Sequence, residues 1–396
     1  MTQQVWQVER TATDVTAQIQ SLDYSTGRQT QFDSWAPGSL NFVIKNDVGQ
    51  ADNYELNEKI TLTAVGTDFY QWFYVQEILY DDTGGAGGGS TATILCTDLL
   101  GRLGKISVFE KSLLSAPTLE QIDTAFQGLM PTGTFISNLS DGNSTAAAEA
   151  AYTGTALNRL NLNMVTEQGW LGVTDNAVYL LGRSDLDLTD SEIIFARTAS
   201  GFLQLGYSNI KRIALGSNYL NVCTVTPPVA AAQNTSDAAG VAAYGTYGTE
   251  LSSVDNTGAQ ALSLAQWQVY SRSDPDELSF QINVSDLGND LSELFFAIFL
   301  TQPLVTVSYK NPGDATTYTS KQIMQGFDMA ITPEATYMEI YTSPLTYTKF
   351  FILDSATFGI LGGGGAATYN ETGITYNEGT YIYNESSAMT GSRLGW

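Results

Sequence analysis

Two stretches of the chain share one order of alternating apolar and polar segments. The first covers residues 31–103 and contains, in order, SLNFVIKND, EKITLTAV, QWFYVQEILYDD and STATILCTD. The second covers residues 278–344 and contains LSFQINVSD, QPLVTVSYK, SKQIMQGFDMAIT and ATYMEIYTSP. Such alternation is typical of half-buried strands, and Gln76 and Gln325 fall at matching places. The pattern predicts a barrel-like β domain that occurs twice.

The chain between the two stretches predicts a mixed α/β module. Helical periodicity, turn residues and short apolar runs predict two helices, a hairpin and two strands that pair with each other. These elements are expected at residues 118–130, 155–168, 170–181, 208–214 and 221–225. After Pro227-Pro228 the low complexity of the chain predicts a loop or linker that orders against a neighbour, and residues 259–269 predict a further helix.

The whole pattern predicts a mainly β fold with α+β parts. Two related β-barrel domains would flank the mixed α/β module, and a short β-repeat tail would follow at the C-terminal end. The expected divisions are a first β-barrel, the mixed module, a long loop and helix connector, a second β-barrel and the tail, at residues 1–111, 112–225, 226–277, 278–346 and 347–396.

A short helix predicted within the second barrel, at residues 290–299, carries an apolar stripe. The stripe consists of Leu291, Leu294, Phe295 and Ile298. Packing into the core is the expected role, and a contact between subunits is the alternative.

The end of the chain repeats a Tyr-Asn-Glu unit at Tyr369, Tyr376 and Tyr383. Gly or Ser in each unit excludes a coiled-coil heptad and favours short strands joined by turns. Exposed tyrosines are common in binding surfaces, so these three residues are candidate contacts to a partner or a glycan. A small sheet packed against the rest of the protein is the alternative.

The chain is strongly acidic. It has 17 Lys and Arg against 41 Asp and Glu, which gives a formal net charge of −24. Such a surface repels phosphate, so it argues against tight binding to nucleic acid while letting DNA slide past. Solubility is the alternative explanation. Lys211-Arg212 is the only adjacent basic pair in the sequence, and its setting predicts a solvated strand end.

The residue types leave little room for catalysis. The chain has no His, which excludes Ser-His and Cys-His pairs and His-ligated metals. Asp81-Asp82 lacks the spacing of a calcium loop, and no Lys follows the glycines at 84–89 as a phosphate-binding loop requires. Cys96 and Cys223 lie in apolar, strand-like surroundings typical of buried free thiols. We expect no catalytic centre, no cofactor and no metal.

A further expectation concerns the location of the protein. The start of the chain lacks the apolar run of a secretory signal, and no run approaches the roughly 20 apolar residues that span a bilayer. We therefore expect a soluble protein or a part of a soluble assembly.

One enzymatic alternative stays open. A glycosidase needs only two suitably spaced carboxylates, and the chain has 41 acidic residues.

Several segments follow one another in an order that has a known counterpart. They are TALNRL…GW…VYLLGRSD, NYLNVCTVT, AQALSLAQWQV and MQGFDMAITPEATYMEIYTSP. Together with the two barrels, this order of parts over about residues 14–345 resembles the minor tail proteins of long-tailed bacteriophages, which have the baseplate-hub fold. The ending FFILDSATFGIL and the repeated TYN units also resemble the C-termini of such proteins.

The resemblance implies a structural virion protein that forms a homotrimeric hub at the tail tip. Three subunits would present six similar barrels and so adapt a sixfold tail tube to a threefold central fibre. The implied partners are the distal tail protein ring, the C-terminus of the tape-measure protein and the central fibre or other tail-tip proteins. DNA would pass through the central channel without specific binding.

The sequence also departs from the larger members of that family. It has no long C-terminal fibre and no peptidoglycan-cleaving domain after the second barrel, which leaves contact with the host open. A receptor- or carbohydrate-binding tail adhesin is the alternative function, and a tail-associated glycoside hydrolase is a further one.

Overall fold

Alternating apolar residues form strands where the sequence predicts them. In the computed structural model Leu40, Phe42 and Ile44 are fully buried, whereas Asn41 and Val43 between them are half-buried. One face of this strand therefore faces a core and the other does not. The structure describes residues 5–66, 69–81, 89–139, 141–142, 144–182, 193–197, 204–213, 219–272, 278–285, 304–311, 313–332 and 335–344.

The described strands and helices fall into three groups along the chain. The first group is β1 (Trp6–Arg10), β2 (Thr13–Asp14), β3 (Ile19–Gly27), β4 (Ala36–Lys45), β5 (Lys59–Ala64), β6 (Tyr70–Asp81), β7 (Thr91–Thr97) and α1 (Leu99–Lys105). The second group is β8 (Ser107–Leu113), β9 (Ala116–Pro117), α2 (Thr118–Phe126), β10 (Phe135–Asn138), β11 (Thr145–Ala146), β12 (Glu149–Thr155), α3 (Ala156–Glu167), β13 (Trp170–Thr174) and β14 (Ala177–Leu181). The third group is β15 (Ile194–Ala196), β16 (Gln204–Ile213), β17 (Val222–Thr226), β18 (Gln233–Ser236), α4 (Ala238–Tyr244), β19 (Gly248–Ser252), α5 (Gly258–Arg272), β20 (Ser279–Ser285), β21 (Leu304–Lys310), β22 (Thr317–Ile331) and β23 (Thr336–Pro344). Short 3₁₀ helices lie at Thr16–Gln18, Gln50–Asn53 and Gln127–Leu129.

The second predicted barrel is a closed ring of six strands. β21, β22, β23, β20 and β16 pair antiparallel in that order, and β15 closes the ring by pairing parallel with both β16 and β21. The prediction that residues 208–214 pair with residues 221–225 is wrong. β16 instead completes the barrel, since its Ile210 packs on the same core as Ile282 opposite it, while β17 pairs with β18 and β19.

The first strand set is an antiparallel sheet in the order β1-β5-β6-β7-β4-β3. Its core is continuous with that of the second barrel. The ring of Tyr24 makes edge contacts with Phe73 of the first set, at 5.2 Å between centroids, and with Phe327 of the second, at 5.0 Å. Aromatic pairs of this geometry stabilise a core beyond their buried area, so one buried cluster serves both strand sets.

The two strand sets match in register. The ladder β3–β4 and the ladder β16–β20 each contain a bulge at the same place, with Gln20 and Ser208 as the extra residues. The hairpins β6–β7 and β22–β23 each contain another, with Gln76 and Gln325 as the extra residues. A bulge shifts every later pair of a ladder by one residue. Because matching ladders have their bulges at the same place, each residue of one strand set has a defined counterpart in the other.

The mixed module contains the helices and the hairpin that the sequence predicts. α2 ends at Phe126 and continues as a 3₁₀ turn, and the side chain of Thr155 caps α3 by accepting a hydrogen bond from the Asn158 amide at 3.1 Å. Thr174 pairs with Ala177 across the predicted hairpin turn. The apolar faces of the helices pack on the sheet β10-β14-β13 and form a second buried cluster.

The segment predicted as a loop after residue 226 is structured. It forms β18, α4 and β19, and both strands pair with β17. Alanine-rich sequence favours a helix once a cap is present, and the Asp237 carboxylate provides that cap by accepting from the Ala239 amide at 3.1 Å. α5 packs against β17 and β18, so the helix predicted at residues 259–269 is present and longer than expected.

Candidate assembly surface

One strand joins the first strand set to the second barrel. Residues 317–323 of β22 pair with β21 inside the second barrel, whereas residues 326–331 pair antiparallel with residues 22–27 of β3. The change of partner falls at the bulge of Gln325, because a bulge bends a strand and increases its twist. As a result, the strands β6-β7-β4-β3-β22-β23-β20-β16 pair in one unbroken ribbon.

Two glycines let the backbones of β3 and β22 approach closely. A Cβ atom on Gly326 would lie 2.5 Å from the Thr26 carbonyl oxygen, and one on Gly27 would lie 2.4 Å from the Gln325 carbonyl oxygen. Gly27 also has a φ of +84°, a conformation that L side chains rarely adopt. The junction therefore requires both residues to lack a side chain.

Arg28 fixes the same junction from the first strand set. Its amide donates to the Gln325 carbonyl oxygen at 3.0 Å, and its Nε donates to Gln325 Oε1 at 3.0 Å. The guanidinium lies 4.3 Å from the ring of Trp35. Burial lowers the pKa of Arg28 to about 9, so the side chain is still a cation at neutral pH. A second link lies farther along the sheet, where Trp6 Nε1 donates to Thr336 Oγ1 at 3.1 Å.

A row of polar side chains crosses the junction on the face opposite the core. Successive paired positions on β4, β3, β22, β23, β20 and β16 are Ser39, Ser25, Asp328, Glu339, Asn283 and Asn209. Part of this row, with Asp23 from the neighbouring row, lines an open groove of about 570 Å³. We call this surface the polar face.

Two carboxylates are the charged side chains of the row that defines the polar face. The Tyr341 hydroxyl oxygen lies 2.5 Å from Asp328 Oδ2 and 3.0 Å from Glu339 Oε2, so its single proton is shared between the two carboxylates. Burial, followed by the interaction with Asp328, raises the pKa of Tyr341 far above its usual range, so the hydroxyl keeps its proton and links both carboxylates. Nowhere in the described chain do three or more His, Cys, Asp or Glu side chains gather to hold a metal ion. The carboxylates of Asp328 and Glu339, with Asp23 beside them, give this part of the face a negative charge that repels anions.

The residues singled out as contacts from the sequence lie outside the described residues. This holds for the stripe Leu291, Leu294, Phe295 and Ile298 and for Tyr369, Tyr376 and Tyr383. Their roles therefore remain predictions. Among the described helices none is both long and apolar enough to cross a membrane.

Other residues noted in the sequence are placed by the structure. Lys211 and Arg212 are exposed at the end of β16, as predicted, and the Arg212 guanidinium lies 5.4 Å from the Tyr309 ring and donates to Asn311. Both cysteines are buried and free. Arg159 forms an ion pair with Glu149 at 2.7 Å.

Sequence reasoning found Gln325 but missed the partners that surround it. Gly326 follows Gln325 inside a predicted strand, and a glycine within a strand is a sign that another backbone approaches closely. That signal was present in the sequence. The identity of the approaching strand was not, because Arg28 and Gln325 lie almost the whole described chain apart.

Comparison with known proteins gives matches only at the level of structure. No protein-family model matches the chain. No curated protein sequence matches it.

Solved structures of tail proteins are similar over most of their length. A tail protein from Neisseria meningitidis superposes with a TM-score of 0.62 at 13% identity, covering 88% of this chain and 98% of that one. The 43 kDa tail protein of prophage MuSo2 from Shewanella oneidensis gives 0.59 at 10% identity, with coverages of 87% and 99%. A prophage tail protein from Listeria monocytogenes gives 0.51 at 11% identity, with coverages of 85% and 93%. The chain therefore has the fold of these phage-type tail proteins, which is the fold that its order of parts predicts.

Proposed function

We propose that the protein is a structural, non-enzymatic component of a phage tail, located at the tail tip, where three copies form a hub. The observation that carries this proposal is the matched pair of strand sets in one chain, with bulges at equivalent positions. A duplicated unit gives each subunit two nearly equivalent building blocks. Three subunits then supply six of them around a closed ring.

Such a ring resolves a mismatch of symmetry. A sixfold tail tube needs six similar contacts on one side, and a threefold central fibre needs three identical contacts on the other. Two similar but unequal barrels per subunit satisfy both requirements. The distal tail protein ring, the C-terminus of the tape-measure protein and a central fibre or other tail-tip proteins are the partners that this role implies.

The polar face is the surface that we assign to the DNA channel. Its acidic side chains Asp23, Asp328 and Glu339 lie on the ribbon shared by both barrels, with the apolar core behind them. Negative charge along a channel lets phosphate pass without binding. The formal net charge of −24 supports the same role.

Mass and shape in solution test the hub. Light scattering of the full chain, alone and mixed with the tail-tube and tape-measure proteins of the same virus, is expected to give a species of three times the chain mass of 42.7 kDa. Electron microscopy of that species is expected to give rings with six lobes. A monomer in every mixture, or a closed dimer, would contradict the proposal.

A further inference from the structure

The duplication assigns a partner to each open strand edge. Within one chain, residues 326–331 of β22 pair with residues 22–27 of β3. The matched bulges make β6 the counterpart of β22 and β16 the counterpart of β3. The same pairing between counterparts would join β6 to β16, and these two strands are the opposite ends of the ribbon β6-β7-β4-β3-β22-β23-β20-β16. In the described chain β6 pairs with β5 and β7, and β16 pairs with β15 and β20, so a β6–β16 pairing needs a second copy.

The edge of β6 has the properties of an unfinished interface. Residues 70–74 of β6 pair with β5, whereas in the described chain residues 77–81 pair only with β7. Leu79 and Tyr80 on this edge are 45% and 56% exposed. An exposed strand edge with apolar side chains is a template for another strand.

Over the matching residues, no strand of the described chain pairs with the second edge of β16. Residues 207–213 pair with β20 along one edge, and the described pairing with β15 along the other edge ends at Gly206. Lys211 lies opposite Gln281 of β20 and is exposed on the polar face. Its counterpart in the first set is Asp23, which lies opposite Ala330 at the internal junction.

When β6 and β16 are paired in the register that β22 and β3 have at the internal junction, complementary side chains come together. Leu79 falls opposite Ile213, and Tyr80 falls opposite Arg212. Asp81 falls opposite Lys211. These are an apolar pair, an aromatic ring with a guanidinium, and an ion pair, each of a kind that stabilises neighbouring strands. The only adjacent basic pair of a chain with a net charge of −24 thus meets an acidic strand end.

We propose that the β6 edge at residues 79–81 pairs antiparallel with the β16 edge at residues 211–213 of a neighbouring copy. The inference rests on the proposed hub, and it names the surface through which copies join. Copies of a strongly acidic chain repel one another at long range, so local attraction between Asp81 and Lys211 is needed at the contact. The new junction is less tight than the internal one, because Glu77 stands where β22 has Gly326.

Repeating this contact three times would join the three ribbons into a closed ring of about 24 strands, a size in which the interior remains open rather than filled by side chains. The polar face would continue from one copy to the next, because Asp81 and Lys211 both correspond to residues of that face.

Charge exchange tests the contact. Asp81→Lys and Lys211→Asp are each expected to weaken self-association of the full chain at least about tenfold, because each replaces an attraction by a repulsion at every junction. The double variant, which restores opposite charges, is expected to return to within about threefold of the parent. Glu250→Lys on β19 is the control for the change in net charge, and thermal unfolding checks that each variant is folded.

Cysteine pairs test the register independently. Leu79→Cys with Ile213→Cys is expected to give disulfide-linked ladders that end at the trimer, whereas Leu79→Cys with Asn209→Cys is expected to give far fewer. If trimers form equally well in the parent and the charge variants and no disulfide forms, this contact is wrong while the proposed hub is not contradicted. The absence of any oligomer, alone or with tail partners, would overturn both, and cross-linked chains that never close into trimers would support the contact against the hub.

Discussion

Gln76 and Gln325 are each the extra residue of a β-bulge, in hairpins that otherwise have the same register. At Gln325 the strand changes partner and reaches β3 of the first strand set. At Gln76 the strand likewise passes beyond β5, and its edge is open in the described chain. One repeated residue therefore marks both the junction inside the chain and the place from which a neighbouring copy would continue the sheet.

Close packing at the internal junction predicts the effect of a single methyl group. Gly326→Ala is expected to lower the free energy of unfolding by about 2–3 kcal/mol, because its Cβ would meet backbone atoms that cannot move aside. Gly128→Ala is the matched control, since a Cβ there has no atom within 4 Å and φ is not positive. The control is expected to change stability by less than about 0.5 kcal/mol. Equal effects in urea unfolding would contradict the required close approach.

Local pattern was sufficient for the elements but not for their distant partners. The buried alternation at Leu40, Phe42 and Ile44 and the turn before Ala177 predict a strand and a hairpin directly, because every interaction that decides them lies nearby. The place of β16 in the second barrel could not be predicted in this way. Its partner β20 lies beyond β17, β18, β19 and two helices, and either pairing satisfies the local pattern. The polar face could not be predicted for the same reason, since it exists only once β3 and β22 are neighbours.

The buried thiols predict a lack of reactivity that is simple to measure. Burial raises the pKa of Cys223 to about 11 and that of Cys96 still further, so thiolate is scarce at pH 8. A thiol reagent such as Ellman's is expected to label neither residue in the folded protein and both in denaturant. Rapid labelling of one thiol without denaturant would indicate that its strand opens locally.

The buried guanidinium of Arg159 predicts an asymmetric response to removal of its partners. Nη1 donates to Glu149 at 2.7 Å and Nη2 donates to Gln121 Oε1 at 2.8 Å, while the Arg159 side chain is only 5% exposed. Arg159→Met is expected to cost about 2–3 kcal/mol, because it leaves a buried acceptor on Gln121 without this donor. Glu149→Gln is expected to cost less than about 1 kcal/mol, because Glu149 is 43% exposed. Equal losses in denaturant unfolding would contradict this ranking.

Asp98 predicts a pH dependence of stability with a definite sign. Its carboxyl group caps α1 by accepting from the Gly101 amide at 3.2 Å and also accepts from the Gly38 amide at 2.9 Å, which links the helix to β4. Burial raises the pKa of Asp98 from 3.8 to about 7, although both amides act in the opposite direction. Between these two values the folded protein binds more protons than the unfolded chain. The contribution of Asp98 to stability is therefore complete below about pH 4 and is lost as the pH rises to about 7, by at most about 1.4 kcal/mol per pH unit.

The variant Asp98→Asn isolates that contribution, because its side chain is neutral at every pH. It is expected to be less stable than the parent at pH 4–5, since its side-chain nitrogen cannot accept from Gly38 as the acid does. The difference between parent and variant is expected to shrink steadily towards pH 7. Over this range the Asp98 carboxyl ionises in the unfolded parent but keeps its proton in the folded parent, which lowers the stability of the parent, whereas the variant has no group to ionise there. Urea unfolding of both proteins at intervals of half a pH unit measures this difference directly, and the pH dependence of all other groups cancels in it. A difference that stays constant from pH 4 to pH 7 would mean that the Asp98 carboxyl is ionised in the folded protein throughout, held by the two amides and the N-terminus of α1.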